Sequence, residues 1–293
     1  MSMNNTAYIG RFAPSPTGPL HFGSLVGALA SYLHAHQHKG QWLVRMEDLD
    51  PPREQPGAAA SILHSLQIHG LQWHGEVLYQ SQRLDAYRAQ LDELMSRQQV
   101  YRCNCNRKKI QAAGGIYDNH CRNRHIESPP FALRVKVDGQ CIHFVDLIQG
   151  PQQQDVKHEV GDFTLQRKDG LFAYQLAVVM DDIEQNISHI IRGSDLLCSS
   201  ARQLYLFDLL GATPPKFGHC PVATHTCGQK LSKQNHAPAL VDGDATNNLW
   251  RALHFLQLQP PEELLGEDVK KQLNWAIGYA NLNAIPQQMG IVI

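Results

Sequence analysis

Apolar and polar positions near the start of the chain alternate between two periods. Residues 7–12, Ala-Tyr-Ile-Gly-Arg-Phe, are a short apolar run that predicts a buried strand. A loop stiffened by Pro14, Pro16, Gly18 and Pro19 follows. Beyond Gly23, Leu25, Leu29, Tyr32 and Leu33 recur at helical spacing up to Gln37, and Lys39-Gly40 closes that helix. Residues 41–46, with Trp42, Leu43 and Val44, predict a second strand. Strand, loop, helix and strand within about 40 residues is the size of a right-handed βαβ unit.

Helical patterns recur at 57–70 and 82–98. Residues 131–137 and 141–148 read as two strands joined at Asp138-Gly139, a hairpin signal. Residues 171–180 are apolar and fit either helix or strand, 186–192 read as a strand, and 199–210 as a helix closed by Gly211. From about Asn247 the tail is helical, with Leu249, Leu253 and Leu256 in register. There is no internal repeat or low-complexity linker, and Gln152-Gln153-Gln154 is too short to matter.

Composition narrows the classes. With 43% hydrophobic and 18% charged residues over 293 positions, the chain is globular rather than disordered. A net charge of −1 advertises no global affinity for nucleic acid, so any such contact needs a local patch. No apolar run approaches a membrane span, and Met1 to Thr6 carry no signal-peptide core, so a cytoplasmic protein without membrane contact is expected. Seven cysteines, an odd number, argue for reduced thiols or a metal site rather than a disulfide framework.

Two segments carry phosphate chemistry. Arg11 lies at the end of the first strand, and the Pro/Gly loop leads to His21-Phe22-Gly23-Ser24 at a helix start. Backbone N–H groups and the helix dipole there suit phosphate, His21 can donate to its oxygens, and Gly23 lets a ring or sugar approach the backbone. Far down the chain, Lys230-Leu231-Ser232-Lys233-Gln234 sets two lysines about a serine, able to neutralise a polyphosphate as its charge builds.

Taken together, residues 11–24 and 230–234 resemble the signatures of class I aminoacyl-tRNA synthetases of the glutamyl/glutaminyl branch. His21-Phe-Gly-Ser24 is similar to their HIGH motif, with Ser24 where the second histidine stands, and Lys230-Leu-Ser-Lys-Gln234 to KMSKS, with Gln234 at the last position. The resemblance runs in order from residue 8 to about 235 and includes Arg45-Met46-Glu47-Asp48-Leu49-Asp50 and Ile191-Arg192-Gly193-Ser194-Asp195. It implies ATP, with Mg²⁺, at Pro14, His21, Gly23, Ser24, Lys230, Ser232 and Lys233, with His21, Lys230 and Lys233 catalytic. It also implies amino-acid contacts at Arg11, Ser15, Glu47, Tyr174 and Arg192. The chemistry agrees: arginines suit the two carboxylates of L-glutamate, preferably bidentately, and Glu47 its ammonium. Glutamine would leave a guanidinium poorly paired.

Cys103-Asn104-Cys105 and Cys121 are the paired thiols of this sequence; Cys141, Cys198, Cys220 and Cys227 lack such spacing. A tetrahedral zinc needs a fourth ligand, and the residues offer His120, His125 or Tyr117. The resemblance to short glutamyl-synthetase-like proteins points to Tyr117, with His120 as alternative, and to one structural Zn²⁺. Arg102, Arg107, Lys108, Lys109, Arg122 and Arg124 face only Asp118 in 101–124, whereas 235–293 is acidic. A basic patch on a metal-stapled module suits an RNA backbone.

The implied fold is α/β: a Rossmann-type parallel-sheet catalytic domain over 1–240, interrupted by a zinc-bearing insertion at about 101–165, and a small helical C-terminal part at 241–293. Too little chain follows Gln234 for an anticodon-binding domain of about 100 residues or more. The combination is similar to the glutamyl-queuosine tRNA(Asp) synthetase family. It implies a monomer that forms glutamyl adenylate without tRNA and transfers the glutamyl group to queuosine in the anticodon of tRNA(Asp). A shortened synthetase charging a tRNA 3′ end and a non-catalytic RNA-binding relic are the alternatives.

Overall fold

A computed structural model describes residues 7–112, 114–139, 141–225, 229–231 and 238–293. In chain order the main elements are β1 (Ile9–Phe12), α1 (Phe22–Gln37), β2 (Gln41–Met46), α2 (Ala58–Ile68), β3 (Leu78–Tyr79), α3 (Leu84–Ser96), β4 (Val100–Cys103) and α4 (Arg107–Ala112). There follow β5 (Ala132–Val135), β6 (Cys141–Asp146), β7 (Gly150–Asp155), α5 (Val156–Glu159), β8 (Thr164–Gln166), α6 (Tyr174–Glu184), β9 (His189–Gly193) and α7 (Leu197–Leu209). The chain ends with β10 (Lys216–Cys220), β11 (Val222–Thr224), α8 (Ala245–Phe255), α9 (Val269–Tyr279) and β12 (Gly290–Val292).

A five-stranded sheet in the order β10-β9-β1-β2-β3, all pairs parallel, forms the body. The strand order reverses between β1 and β9, and the carboxyl edge at such a reversal is where open α/β sheets hold ligands. The helix α1 is buried on several faces, with Leu25, Val26, Leu29 and Leu33 at most 1% exposed, because it packs on β1 and β9 as well as on α8 and α9. Trp42 of β2 is fully buried, and its Nε1–H donates to Ser31 Oγ of α1 at 2.9 Å, which fixes helix to sheet. Truncating such a ring to alanine costs about 3–5 kcal/mol. The other face of the sheet packs Ile190 and Phe217 against Phe144 of β6 and Leu204 of α7.

The α1 helix closes at Lys39-Gly40, where the sequence places its end. Lys39, not Gly40, takes the left-handed conformation at φ 53°. Gly40 is required because a Cβ there would lie 2.5 Å from the Tyr8 carbonyl oxygen.

Two expectations are changed. The strand near 131–137 does not form a hairpin with 141–148 across Asp138-Gly139. Instead β5 is the centre of an antiparallel β4-β5-β8 sheet, and β6 pairs with β7. The turn is set by Asp146, whose Oδ1 accepts from the N–H groups of Ile148 and Gln149, and by Gly150 at φ 74°. The Gln152–Gln154 tract is part of β7. The tail is not all helical: β12 pairs in parallel with β11, Val222 N–H donates to the Met289 carbonyl at 3.1 Å, and Ser194 Oγ donates to the same oxygen. The ambiguous 171–180 stretch lies mostly in the helix α6.

Among the described residues no helix is long and apolar enough to cross a membrane.

Candidate active site and metal centre

The carboxyl ends of β1, β2 and β9 lie side by side, so Arg11, Glu47 and Arg192 meet although they are far apart in sequence. They open on a cleft of about 690 Å³ that Pro14, Ser15, His21, Gly23, Ser24, Tyr174 and Lys230 also line. Ser232 and Lys233, together with Gln234 and Cys227, lie outside the described residues.

The phosphate end is built on the start of α1. His21 is the N-cap, and its Nδ1 accepts from Ser24 N–H at 3.3 Å, which puts the ring proton on Nε2. Gly23 makes room for that ring: a Cβ would lie 3.2 Å from its Cε1. The 229–231 segment returns along β11 through a Thr224–Lys230 bridge, and Leu231 N–H donates to the Ala223 carbonyl at 2.7 Å. Lys230 Nζ lies 2.5 Å from Asp195 Oδ2 at the cleft wall.

The amino-acid end is set by a buried charge network. Arg11 donates through Nε and Nη2 to the two oxygens of Asp182, at 3.2 and 3.5 Å. Arg45 Nη2 reaches Asp182 Oδ1 at 2.7 Å and its Nη1 reaches Gln185 Oε1 at 2.8 Å. Burial alone would raise the Asp182 carboxyl, but the two guanidiniums hold it below its usual range. The preceding Asp181 faces the other way and takes Gln80, Arg83 and Tyr87. Arg192 donates through Nε to His219 Nε2 at 2.9 Å and through Nη2 to Ser200 Oγ at 3.0 Å. Arg11 and Arg192 therefore each have their Nε/Nη2 edge held by the protein.

Among the described residues, two buried polar atoms of the cleft have no hydrogen-bond partner: Glu47 Oε1 and Arg192 Nη1. Burial pushes the Glu47 carboxyl up to about 7, against the pull of Arg45 and Arg11. Burial lowers Arg192 and raises Tyr174. A lone acid oxygen and a lone guanidinium nitrogen in one cleft complement a molecule carrying both an ammonium and a carboxylate.

Sequence reasoning missed Asp182, Asp146, His219 and Ser200, and assigned no role to Arg45 or to Arg53 at the cleft mouth. Asp181-Asp182 carried a signal: two adjacent acids end an apolar run in α6, and buried acids need cationic or hydrogen-bonding partners.

The sulfur atoms of Cys103, Cys105 and Cys121 lie within 4.8 Å of one another, a group that could hold a metal ion. Cys103 ends β4, and Tyr117 is placed by a bridge to Gly161. The Tyr117 hydroxyl is 3.3 Å from Cys103 Sγ and 3.9 Å from Cys105 Sγ. His125 instead pairs with Glu127 at 2.8 Å on the surface. Against burial, hydrogen bonds led by Tyr117 hold the Cys121 thiol below its ordinary value, whereas burial pushes Cys105 up to about 11. Three thiols and a phenol in a buried cluster form a donor set that fits a tetrahedral soft or borderline cation. Of the remaining described cysteines, Cys220 is buried while Cys141 and Cys198 are exposed.

Residues 9–249 match the tRNA synthetases class I (E and Q), catalytic domain. The chain is 48% identical to a Glutamyl-Q tRNA(Asp) synthetase of Serratia proteamaculans, over 99% of this chain and 95% of that protein. Its counterpart in Escherichia coli O6:H1 is 49% identical over 97% and 92%. Among solved structures, the glutamate-tRNA synthetase of Elizabethkingia anophelis superposes with a TM-score of 0.79 at 24% identity, covering 98% of this chain and 68% of that one. The glutamate tRNA ligase of Elizabethkingia meningosepticum, in complex with its amino acid, gives 0.80 at 24% identity over 97% and 66%. The two structural matches speak for the fold.

Proposed function

Since the chain belongs to the class I (E and Q) tRNA synthetases, and within them to the glutamyl-Q tRNA(Asp) synthetases, we propose that this ligase forms glutamyl adenylate without tRNA and passes the glutamyl group to queuosine in the anticodon of tRNA(Asp). The observation that carries the first half is the pair of unpartnered buried atoms, Glu47 Oε1 and Arg192 Nη1, in the cleft that also holds His21 and Lys230.

Glu47 takes the substrate ammonium. The outer nitrogens of Arg11 and Arg192 take the carboxylates, with Ser15 and Tyr174 lending hydroxyls. ATP enters as its magnesium complex, its phosphates over Pro14, Gly23, Ser24 and the start of α1. The α-carboxylate attacks the α-phosphorus and pyrophosphate leaves, while His21, Lys230 and Lys233 donate to the charge that builds on the phosphate oxygens. Ser232 belongs to the same ATP contacts. A queuosine hydroxyl then attacks the acyl carbonyl and AMP departs. An acyl adenylate is already activated, so the second step asks little acid–base help.

We assign Zn²⁺ to Cys103, Cys105, Cys121 and Tyr117, where it would staple the loop that carries the basic patch. ATP–pyrophosphate exchange tests the reading: glutamate alone should support it. Exchange only with glutamine, or only with tRNA present, would contradict it.

A further inference from the structure

Arg192 has five N–H donors, and the protein uses them unequally. Nε and Nη2 are held by His219, Ser200 and the Leu196 carbonyl, while Nη1 is buried and has no partner among the described residues. The partner chosen for Nε is unusual. A carboxylate would bind a guanidinium more strongly, as Asp182 does for Arg11 and Arg45, but it would also cancel the charge. Here the acid stands one residue further away. Asp146 Oδ2 accepts from His219 Nδ1–H at 2.6 Å, and both side chains are fully buried. With its proton fixed on Nδ1, the imidazole offers Nε2 as a lone pair without charge.

Asp146 is itself locked. Its Oδ1 accepts from the N–H groups of Ile148, Gln149 and His219, at 3.0, 2.8 and 3.0 Å. Those donors stabilise the carboxylate in place, so its negative charge need not be met by Arg192. An apolar side chain in place of His219 would fill the space but leave Arg192 Nε unsatisfied.

We infer that Asp146 and His219 form a positioning relay, which holds Arg192 through a neutral acceptor and so leaves its outer nitrogen and its positive charge for a substrate carboxylate. The relay rests on the reading of the cleft as a glutamate site. It makes the preference for an acid over its amide depend on two residues that do not touch the substrate. Arg11, ion-paired with Asp182, is the anchored arginine; Arg192 is the one that discriminates.

Asp146→Asn is the informative variant because it is nearly isosteric. The three backbone donors require the amide oxygen, so the NH₂ group faces His219 Nδ1 and drives the ring proton to Nε2. Nε2–H then meets Arg192 Nε–H, donor against donor, and the guanidinium turns away. In glutamate-dependent exchange, KM for glutamate should rise about 10- to 100-fold, the value of one charge-assisted hydrogen bond, with kcat changed far less. Discrimination against glutamine should fall by a similar factor. Side-chain ¹⁵N spectra of the unaltered protein should show His219 neutral and protonated on Nδ1, and this arm does not depend on the variant folding. Nε2 protonation in the unaltered protein would overturn the relay, as would a folded variant with unchanged KM. If the unaltered protein shows no exchange with glutamate, the glutamate reading itself falls, and the relay's role with it.

Discussion

Arg11 and Asp182, 171 residues apart, form a buried ion pair that joins the first strand of the sheet to the helix α6. Asp182 binds Arg45 of β2 through the same oxygen, so one carboxylate compensates two guanidiniums beneath the cleft floor. Removing it leaves two buried cations and destabilises the fold by about 3–5 kcal/mol. Asp182→Ala should lower the melting temperature by roughly 10 °C, read by calorimetry. Asp85→Asn, which breaks an exposed pair with Arg88, should change it hardly at all.

Glu47 predicts a pH dependence. Its carboxyl, pushed up to about 7 by burial, must be ionised to hold the substrate ammonium. Below pH 7 the free protein is increasingly protonated there, so glutamate affinity should weaken as pH falls from 8 to 6, approaching tenfold per unit at the acid end. Calorimetric titration with glutamate across that range checks the sign. Glu47→Gln should bind weakly with a flat profile.

The metal cluster predicts an order of effects. Cys103→Ser and Cys105→Ser should release the metal, Tyr117→Phe should weaken its retention, and His120→Ala should leave it intact. Metal content of freshly purified variants decides the order. Retention in Tyr117→Phe with release in His120→Ala would reassign the fourth ligand.

Lys108, Lys109 and Arg124 are exposed beside that cluster. Neutralising all three should weaken transfer to tRNA while pyrophosphate exchange with glutamate stays unchanged. The slope of log affinity against log salt should become shallower by about one for each phosphate that the variant no longer neutralises. Transfer rates at several salt concentrations test this.

Much of the site is legible along the chain because strand ends in a parallel sheet share one edge. Once β1, β2 and β9 are expected as strands of one parallel sheet, Arg11, Glu47 and Arg192 can share one crevice, and the order β9-β1-β2 brings their ends together. What holds them is not legible. Whether Asp181 or Asp182 faces the sheet depends on the rotation of α6, which is set by its packing against α3 and α7. The Asp138-Gly139 turn signal is overridden for a similar reason: β5 is flanked on both edges by β4 and β8, leaving β6 to pair onward with β7. Asp146 and His219 become neighbours only through the packing of β6 on β10.

The destination of the glutamyl group is the central claim. Queuosine-containing tRNA(Asp) incubated with the protein, ATP and radiolabelled glutamate should, after digestion to nucleosides, carry the label on queuosine. The label should survive removal of the 3′-terminal adenosine, and tRNA(Asp) with guanine at that position should take up none. Label that leaves with the terminal adenosine and persists without queuosine would contradict the account and show a shortened synthetase that charges the 3′ end.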